Sequence, residues 1–457
     1  MSRKGSIVVE SRLVGALTAL VGLLAIGAAP AVARWSAPRT VSSSRAGFGK
    51  AALATDARGD AAFASASESD VGPVQTRAAL NVALLSTRGP SVKRTLWRNG
   101  DALVGDVVVA LDARGELTVA WIAAARGRNG ETVAPHTIRS AYRTPSGRWS
   151  PTEIVGHSGP FLSADLRLAV APNGEMLATW RAHTKRAPGV AAAWRKPGHR
   201  FGPETAVSRA KSATMTDPTS LFDSSGAAHI YGTVGCGRLI RSCATMVSTA
   251  PHSHRFGTPL LIAPAPAEFP VVSFSAPGRA LIVWEAGDYQ DLEPSFAAPY
   301  ARVMTSGSLS PPAALQPGSA DTATSSVNAV AANDGGGTLS WSARPRTYPG
   351  PGHTMLAVGD TSGHFAAPSV SPDGLMPVLR DGVGDVLLKL GWIGGSGGLP
   401  PSPLAMQPAG GGVVQSSPMP LPPSASLAAV VTTQPVGAGA AAAWVAGAKL
   451  EISTWQP

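Results

Sequence analysis

Charge is scarce in this chain: Asp, Glu, Lys and Arg make up 14% of its 457 residues, aromatics 6%, and cysteine occurs twice. No run of Lys or Arg occurs, which excludes the concentrated basic stripe that a nucleic-acid reader needs. Past residue 33 no apolar stretch is long enough to span a bilayer. The Gly-rich runs "DGGGT" and "GGSGG" lack the Lys-Ser/Thr of a phosphate loop. His252 and His254 offer two imidazoles with no third ligand of known proximity, so no metal site is read, and nothing calls for a cofactor.

The first 33 residues carry the signature of export. Arg3, Lys4 and Arg12 give a positive start, "LVGALTALVGLLAIGAA" an apolar run, and Ala31 to Ala33 a small-residue cleavage site. A signal peptide over 1–33 is expected, with a retained membrane anchor as the alternative. Removing its three basic residues and one acidic residue takes the net charge from +10 to +8. A mild positive excess suits anionic surfaces such as wall polymers or acidic glycans. In an oxidising compartment Cys236 and Cys243 are expected to form a local disulfide, since the intervening "GRLIRS" supplies no metal ligand.

What the chain has in plenty is repetition. "VALDARGELTVAW" at Val109 to Trp121 returns as "LAVAPNGEMLATW" at Leu168 to Trp180. Anchored on its glycine, the motif occurs at Gly59, Gly115, Gly174, Gly226, Gly278, Gly335, Gly384 and, more loosely, Gly437. Asp, Asn or Pro just ahead of a glycine is hairpin chemistry. Trp121, Trp180, Trp284 and Trp341 stand six residues after their glycines, where units one and four carry Ser65 and Gly232. Leu117, Val119 and Trp121 alternate with Thr118 and Ala120, a period of two with both faces apolar or small. Such a strand belongs to a sheet buried on both sides.

A second motif, Arg or His followed by an aromatic, precedes most of these glycines: "RWSAP" (Arg34), "RWSP" (Arg148), "RFGP" (Arg200), "RFGTP" (Arg255) and "HFAAP" (His364). Each unit reads as four strands, inner, partner, third and outer. Units of about 50 residues that stack face to face describe the blades of a β-propeller. The expected fold is therefore all-β: one propeller over 34–457 of about eight four-stranded blades, with seven as the alternative. The spare strand at Arg34–Val41 is expected to join the last blade near Leu450–Trp455, removing an open edge. Residues 394–426, rich in Gly, Pro and Ser, read as long loops or a linker.

The turn with Asp ahead of Gly, the strand-ending Trp and the "R-W-S-x-P" outer strand resemble the secreted bacterial propellers with sialidase-like (BNR-type) repeats. That family's Asp-box has Asp two residues before Gly and an aromatic three after; here Asp stands three before and Trp six after. The resemblance implies the fold, and for activity a site of arginines, a tyrosine nucleophile and a carboxylate base. Candidates for that chemistry are Glu285, Asp288 and Tyr289 in one second-to-third-strand loop, and Arg344, Arg346 and Tyr348 in the matching loop of the next unit. A solvated ion-pair patch accounts for the same letters.

Asp106, Asp165 and Asp217 each lie nine residues before a turn glycine, and Glu268 ten before the next. They form either an arc of carboxylates around the channel mouth or repeated turn caps. The functional reading is an exported, non-catalytic propeller binding a glycan, wall polymer or protein through its funnel face, with Asp106, Asp165, Asp217, Arg344 and Arg346 as ligand-binding candidates. The alternatives are a sialidase-like glycoside hydrolase and a structural propeller in an extracytoplasmic assembly.

Overall fold

The structure is a computed structural model. It describes residues 34–35, 39–43, 50–56, 58–72, 75–86, 91–99, 102–126, 132–160, 163–183, 188–207, 215–236, 241–288, 295–315, 322–331, 336–345, 353–360, 362–370, 376–380, 384–388, 404–408, 415–417, 426–432, 440–446 and 449–456. The signal segment expected at 1–33 lies outside these residues. No helix occurs among them.

Strands β1 (Arg34–Trp35) and β2 (Arg39–Ser43) belong to the last sheet. The first sheet is β3 (Ala51–Thr55), β4 (Ala61–Gly72), β5 (Gln75–Leu85) and β6 (Val92–Asn99). The second is β7 (Ala102–Leu111), β8 (Leu117–Arg126), β9 (Thr132–Arg143) and β10 (Glu153–Gly159). The third is β11 (Arg167–Val170), β12 (Met176–His183), β13 (Pro188–Arg195) and β14 (Thr205–Ala206). The fourth is β15 (Thr216–Phe222), β16 (Ala228–Cys236), β17 (Arg241–Ser248) and β18 (Leu260–Ala263). The fifth has β19 (Glu268–Ala276), β20 (Arg279–Asp288), β21 (Ser295–Thr305) and β22 (Ser308–Leu309), with β23 (Ala313–Ala314) also on β21. The sixth is β24 (Thr322–Ala331), β25 (Gly337–Pro345), β26 (His353–Gly359) and β27 (Ser369–Val370). The seventh is β28 (Met376–Arg380), β29 (Gly384–Leu388), β30 (Leu404–Pro408) and β31 (Gln415–Ser417). The last joins β32 (Ser426–Thr432), β33 (Ala440–Ala446) and β34 (Lys449–Gln456) to β1 and β2.

Each of the first seven sheets is an antiparallel meander in chain order, which is the blade of a β-propeller. In the last sheet β2 runs against β34 with Arg39 opposite Ile452 and Thr40 opposite Glu451. The outer strand there thus comes from the front of the chain. Thr40 also accepts a hydrogen bond from Lys93, and Arg39 donates to Ser91, both beside or on β6. Strands β30 and β31 fall inside the Gly/Pro/Ser-rich stretch 394–426, where β30 pairs with β29.

The turn text is explained by its carboxylate. Asp56, Asp112 and Asp223 each accept, through Oδ1, the backbone N–H groups two and four residues on. This wraps the chain around a glycine, and Gly59, Gly115, Gly174, Gly226 and Gly278 all sit at positive φ, between 66° and 87°. Gly384 departs from the expected pattern: it is the first residue of β29.

Sheets stack through both faces. Leu117, Val119 and Trp121 pack on the first sheet, whereas Ala120 and Ile122 from the same strand pack with Ala178 and Trp180 of the third. Leu177 then meets Ala228 and Ile230, and Leu281 and Val283 meet Leu339 and Trp341. Trp121, Trp180, Trp284 and Trp341 are fully buried, and Trp180 Nε1 donates to the His157 carbonyl at 3.1 Å. Gly232 stands in the tryptophan's place in the fourth sheet because a Cβ there would come within 2.6 Å of the Thr216 carbonyl oxygen.

Candidate functional site

Antiparallel order puts the start of each inner strand and the end of its partner strand at one end of every sheet. The residue nine before the turn glycine lies there in the first five units. In chain order these residues are Lys50, Asp106, Asp165, Asp217 and Phe269. Backbone irregularity concentrates at the same place. The inner strands β7, β15, β19 and β24 all bulge there, between Val104 and Val107, Thr216 and Thr219, Glu268 and Val271, and Ser325 and Asn328. A bulge re-aims a side chain out of the pleat. Asp165, Asp217 and Phe269 adopt φ of 52°, 52° and 46°, a left-handed conformation that a bulky aromatic rarely takes.

The carboxylates have different tasks. Asp106 Oδ2 accepts the Ala164 and Leu166 N–H groups at 2.9 and 3.3 Å, and Oδ1 accepts the Ser163 hydroxyl at 3.2 Å. It therefore straps the second sheet to the chain entering the third, while Lys50 Nζ stands 3.8 Å away. Asp165 pairs with Arg181 at 3.6 Å. Burial pushes its pKa up, Arg181 opposes this, Asp217 and Asp106 add to the rise, and Arg167 works against it. Asp217 is exposed on its bulge. These three carboxylates thus share one electrostatic neighbourhood, with Lys50, Arg167 and Arg181 interleaved.

Glu268 lies directly across from Glu285 on β20. Glu285 is 1% exposed, and its Oε1 accepts the Val327 N–H at 3.3 Å, tying the fifth sheet to the first strand of the sixth. Asp288 pairs in register with Ser295, and Arg344 with Ala323, but neither side chain is among the described atoms. Tyr289, Arg346 and Tyr348 lie outside the described residues altogether.

Cys236 and Cys243 form a disulfide with Cα atoms 5.9 Å apart, closing the hairpin of β16 and β17 at the same end of the fourth sheet as Asp217. His254, half of the His-x-His pair, is engaged elsewhere. Its Nε2 meets Glu175 Oε1 at 2.7 Å, and its ring stacks on Trp194 with centroids 4.4 Å apart. Among the described residues no three His, Cys, Asp or Glu side chains are grouped to hold a metal.

The spacing that leads to Glu268 passes over its neighbour Phe269, which is 57% exposed. The signal was present: counting nine back from Gly278, as for the three aspartates, lands on Phe269. The same count from Gly59 lands on Lys50.

No protein-family model matches the chain, and no curated protein matches it in sequence. Solved structures do resemble it. The polysaccharide lyase Uly1 is 9% identical with a TM-score of 0.52, over 92% of this chain and 99% of that one. The Dos1 propeller is 8% identical with a TM-score of 0.49, over 93% and 95%. The Hadza microbial sialidase Hz136 is 14% identical with a TM-score of 0.35, over 69% and 70%. Identity this low speaks for architecture alone, and the architecture of this chain is that of an all-β propeller.

Proposed function

We propose that the chain is an exported, non-catalytic propeller that binds a glycan where its inner strands begin. The observation that carries this reading is Phe269. A large apolar ring, 57% exposed, is held in a left-handed backbone position on the inner strand of the sheet that follows the one with the exposed Asp217. Strain and exposure of this kind cost stability and persist where the surroundings enforce them for a task. A flat ring supplies a face for the C–H side of a sugar, while Asp217 and Asp165 accept from its hydroxyls or pair with an amino group. Few polar groups around an apolar contact are the usual composition of a ligand site. The disulfide supports an oxidising, extracytoplasmic location.

The test is binding to a panel of purified wall polysaccharides and oligosaccharides by wild type, Phe269→Ala and Asp217→Asn. Circular dichroism confirms that each variant is folded. A ligand that binds wild type and is lost about tenfold or more in both variants supports the reading. Absence of any glycan ligand, or binding indifferent to both substitutions, overturns it.

A further inference from the structure

The opposite end of the sheets, where third strands turn into outer strands, carries a second group of polar and aromatic side chains. The turn after β13, residues 196–200, projects Lys196, His199 and Arg200 into solvent. With Trp194 and His254 they line a groove of about 370 Å³ at the seam between the third and fourth sheets. That volume is within the range of small-molecule sites and far above what one inorganic ion fills.

The lining of this groove includes two cations, Lys196 and Arg200, and no carboxylate. The carboxylates nearby are turned to other partners. Glu116 is held by Arg195 and the Gly198 N–H, and Glu175 by His254. Glu204 accepts the His157 N–H, and Glu153 accepts the Ser140 hydroxyl and the Phe201 N–H. Arg200 reaches Glu153 only at 3.9 Å, with its side chain 69% exposed. The Lys196 and His199 side chains have no hydrogen-bond or ion-pair partner among the described residues. The aromatic wall is packed from within: Trp194 stacks on His254 and meets Phe222 edge-on at 5.9 Å.

We propose that this groove is a binding site for an anionic saccharide, a sugar bearing a carboxylate or sulfate. Lys196 and Arg200 meet the charge, and His254, stacked on the buried Trp194, packs along the ring. The site is separate from the one at the inner-strand mouths and stands whether or not that one binds a glycan. Two exposed cations acting on one anion lose strength as salt screens them.

Titration calorimetry with trigalacturonate at low salt tests the proposal, using wild type, the double variant Lys196→Ala/Arg200→Ala, and Phe269→Ala. Both replaced residues in the double variant are exposed, so the fold is retained, which a melting curve verifies. The expected result is binding that weakens about tenfold or more in the double variant, weakens with added salt, and is unchanged in Phe269→Ala. A neutral galactotriose is expected not to bind. No binding of trigalacturonate overturns the proposal, as does equal binding by the double variant. Equal affinity for inorganic sulfate alone, or for galactotriose, also overturns it. Loss in Phe269→Ala with none in the double variant moves the ligand to the other site and sinks this inference while leaving the proposed function standing.

Discussion

Arg195 Nη1 lies 2.6 Å from Glu116 Oε1, and both side chains are almost wholly out of water. Arg195 comes from β13 and Glu116 from the turn before β8, so this pair bolts the third sheet to the second. The guanidinium also meets the Thr118 hydroxyl, the Met176 sulfur and the His199 carbonyl, and lies over the Tyr142 ring. Glu116 Oε2 takes the Gly198 N–H at 2.8 Å. Truncating one member strands the other charge in a dry place, at a cost of about 3–5 kcal/mol. Arg195→Ala and Glu116→Ala should each destabilise to that extent in denaturant titration. Replacing both with apolar residues of similar volume, Arg195→Met with Glu116→Leu, should recover most of the loss.

Neutralising Asp165 should do the reverse. Burial, with Asp217 and Asp106 nearby, holds its pKa above the ordinary carboxylate value against the pull of Arg181. A carboxyl whose folded pKa is raised disfavours the folded state once pH exceeds its unfolded pKa, and the penalty is complete above the folded one. Asparagine keeps the shape and tolerates the φ of 52°. Asp165→Asn is therefore expected to raise the melting temperature at pH 7 and to leave it unchanged at pH 3. Where the aspartate serves ligand binding, the same substitution weakens that binding, a trade between stability and function.

The sequence made the scaffold readable because the scaffold is written in local rules. A carboxylate three before a glycine makes the turn whatever surrounds it, and Trp121, Trp180, Trp284 and Trp341 end up buried because period two leaves them no other place. The site was readable only as positions. Spacing brought Asp106, Asp165 and Asp217 together, yet could not tell that Asp106 spends its oxygens on backbone N–H groups of the next sheet's approach while Asp217 stays exposed. That division depends on where a bulge turns each side chain, and a bulge is a fit between neighbouring strands. The Arg195–Glu116 bolt was equally hidden, since its members are 79 residues apart and no spacing rule relates them.

The disulfide between Cys236 and Cys243 spans a sequence separation of 7. A short loop removes little freedom from the unfolded chain, so the chain-entropy estimate is about 2–3 kcal/mol. Replacing both cysteines with alanine should lower unfolding free energy by no more than that and leave the far sheets intact. Reductant added to wild type should reproduce the loss, and should do nothing further to the double variant. A larger effect in chemical denaturation would mean that the hairpin organises more of the fourth sheet than its two strands.

Asp223 should hold its charge to lower pH than an ordinary carboxylate. Burial alone would raise its pKa, but hydrogen bonds from His229 and Ser225, the His229 charge and the Ala227 N–H outweigh it and bring the group to about 2. Its folded pKa is thus depressed from 3.8, so the stabilisation is fully present above pH 4 and is lost as pH falls through 2. A difference of that size corresponds to about 2 kcal/mol at neutral pH. His229 is itself held from the other side by Ser248, with its ring stacked on Phe274 at 4.1 Å, so losing the carboxylate loosens contact with the fifth sheet as well. Unfolding free energies of wild type and Asp223→Asn measured from pH 7 to pH 2 should differ by that amount at the top of the range and converge at the bottom. A constant gap across the whole range would mean that the turn's geometry, and not the carboxylate's charge, sets its contribution.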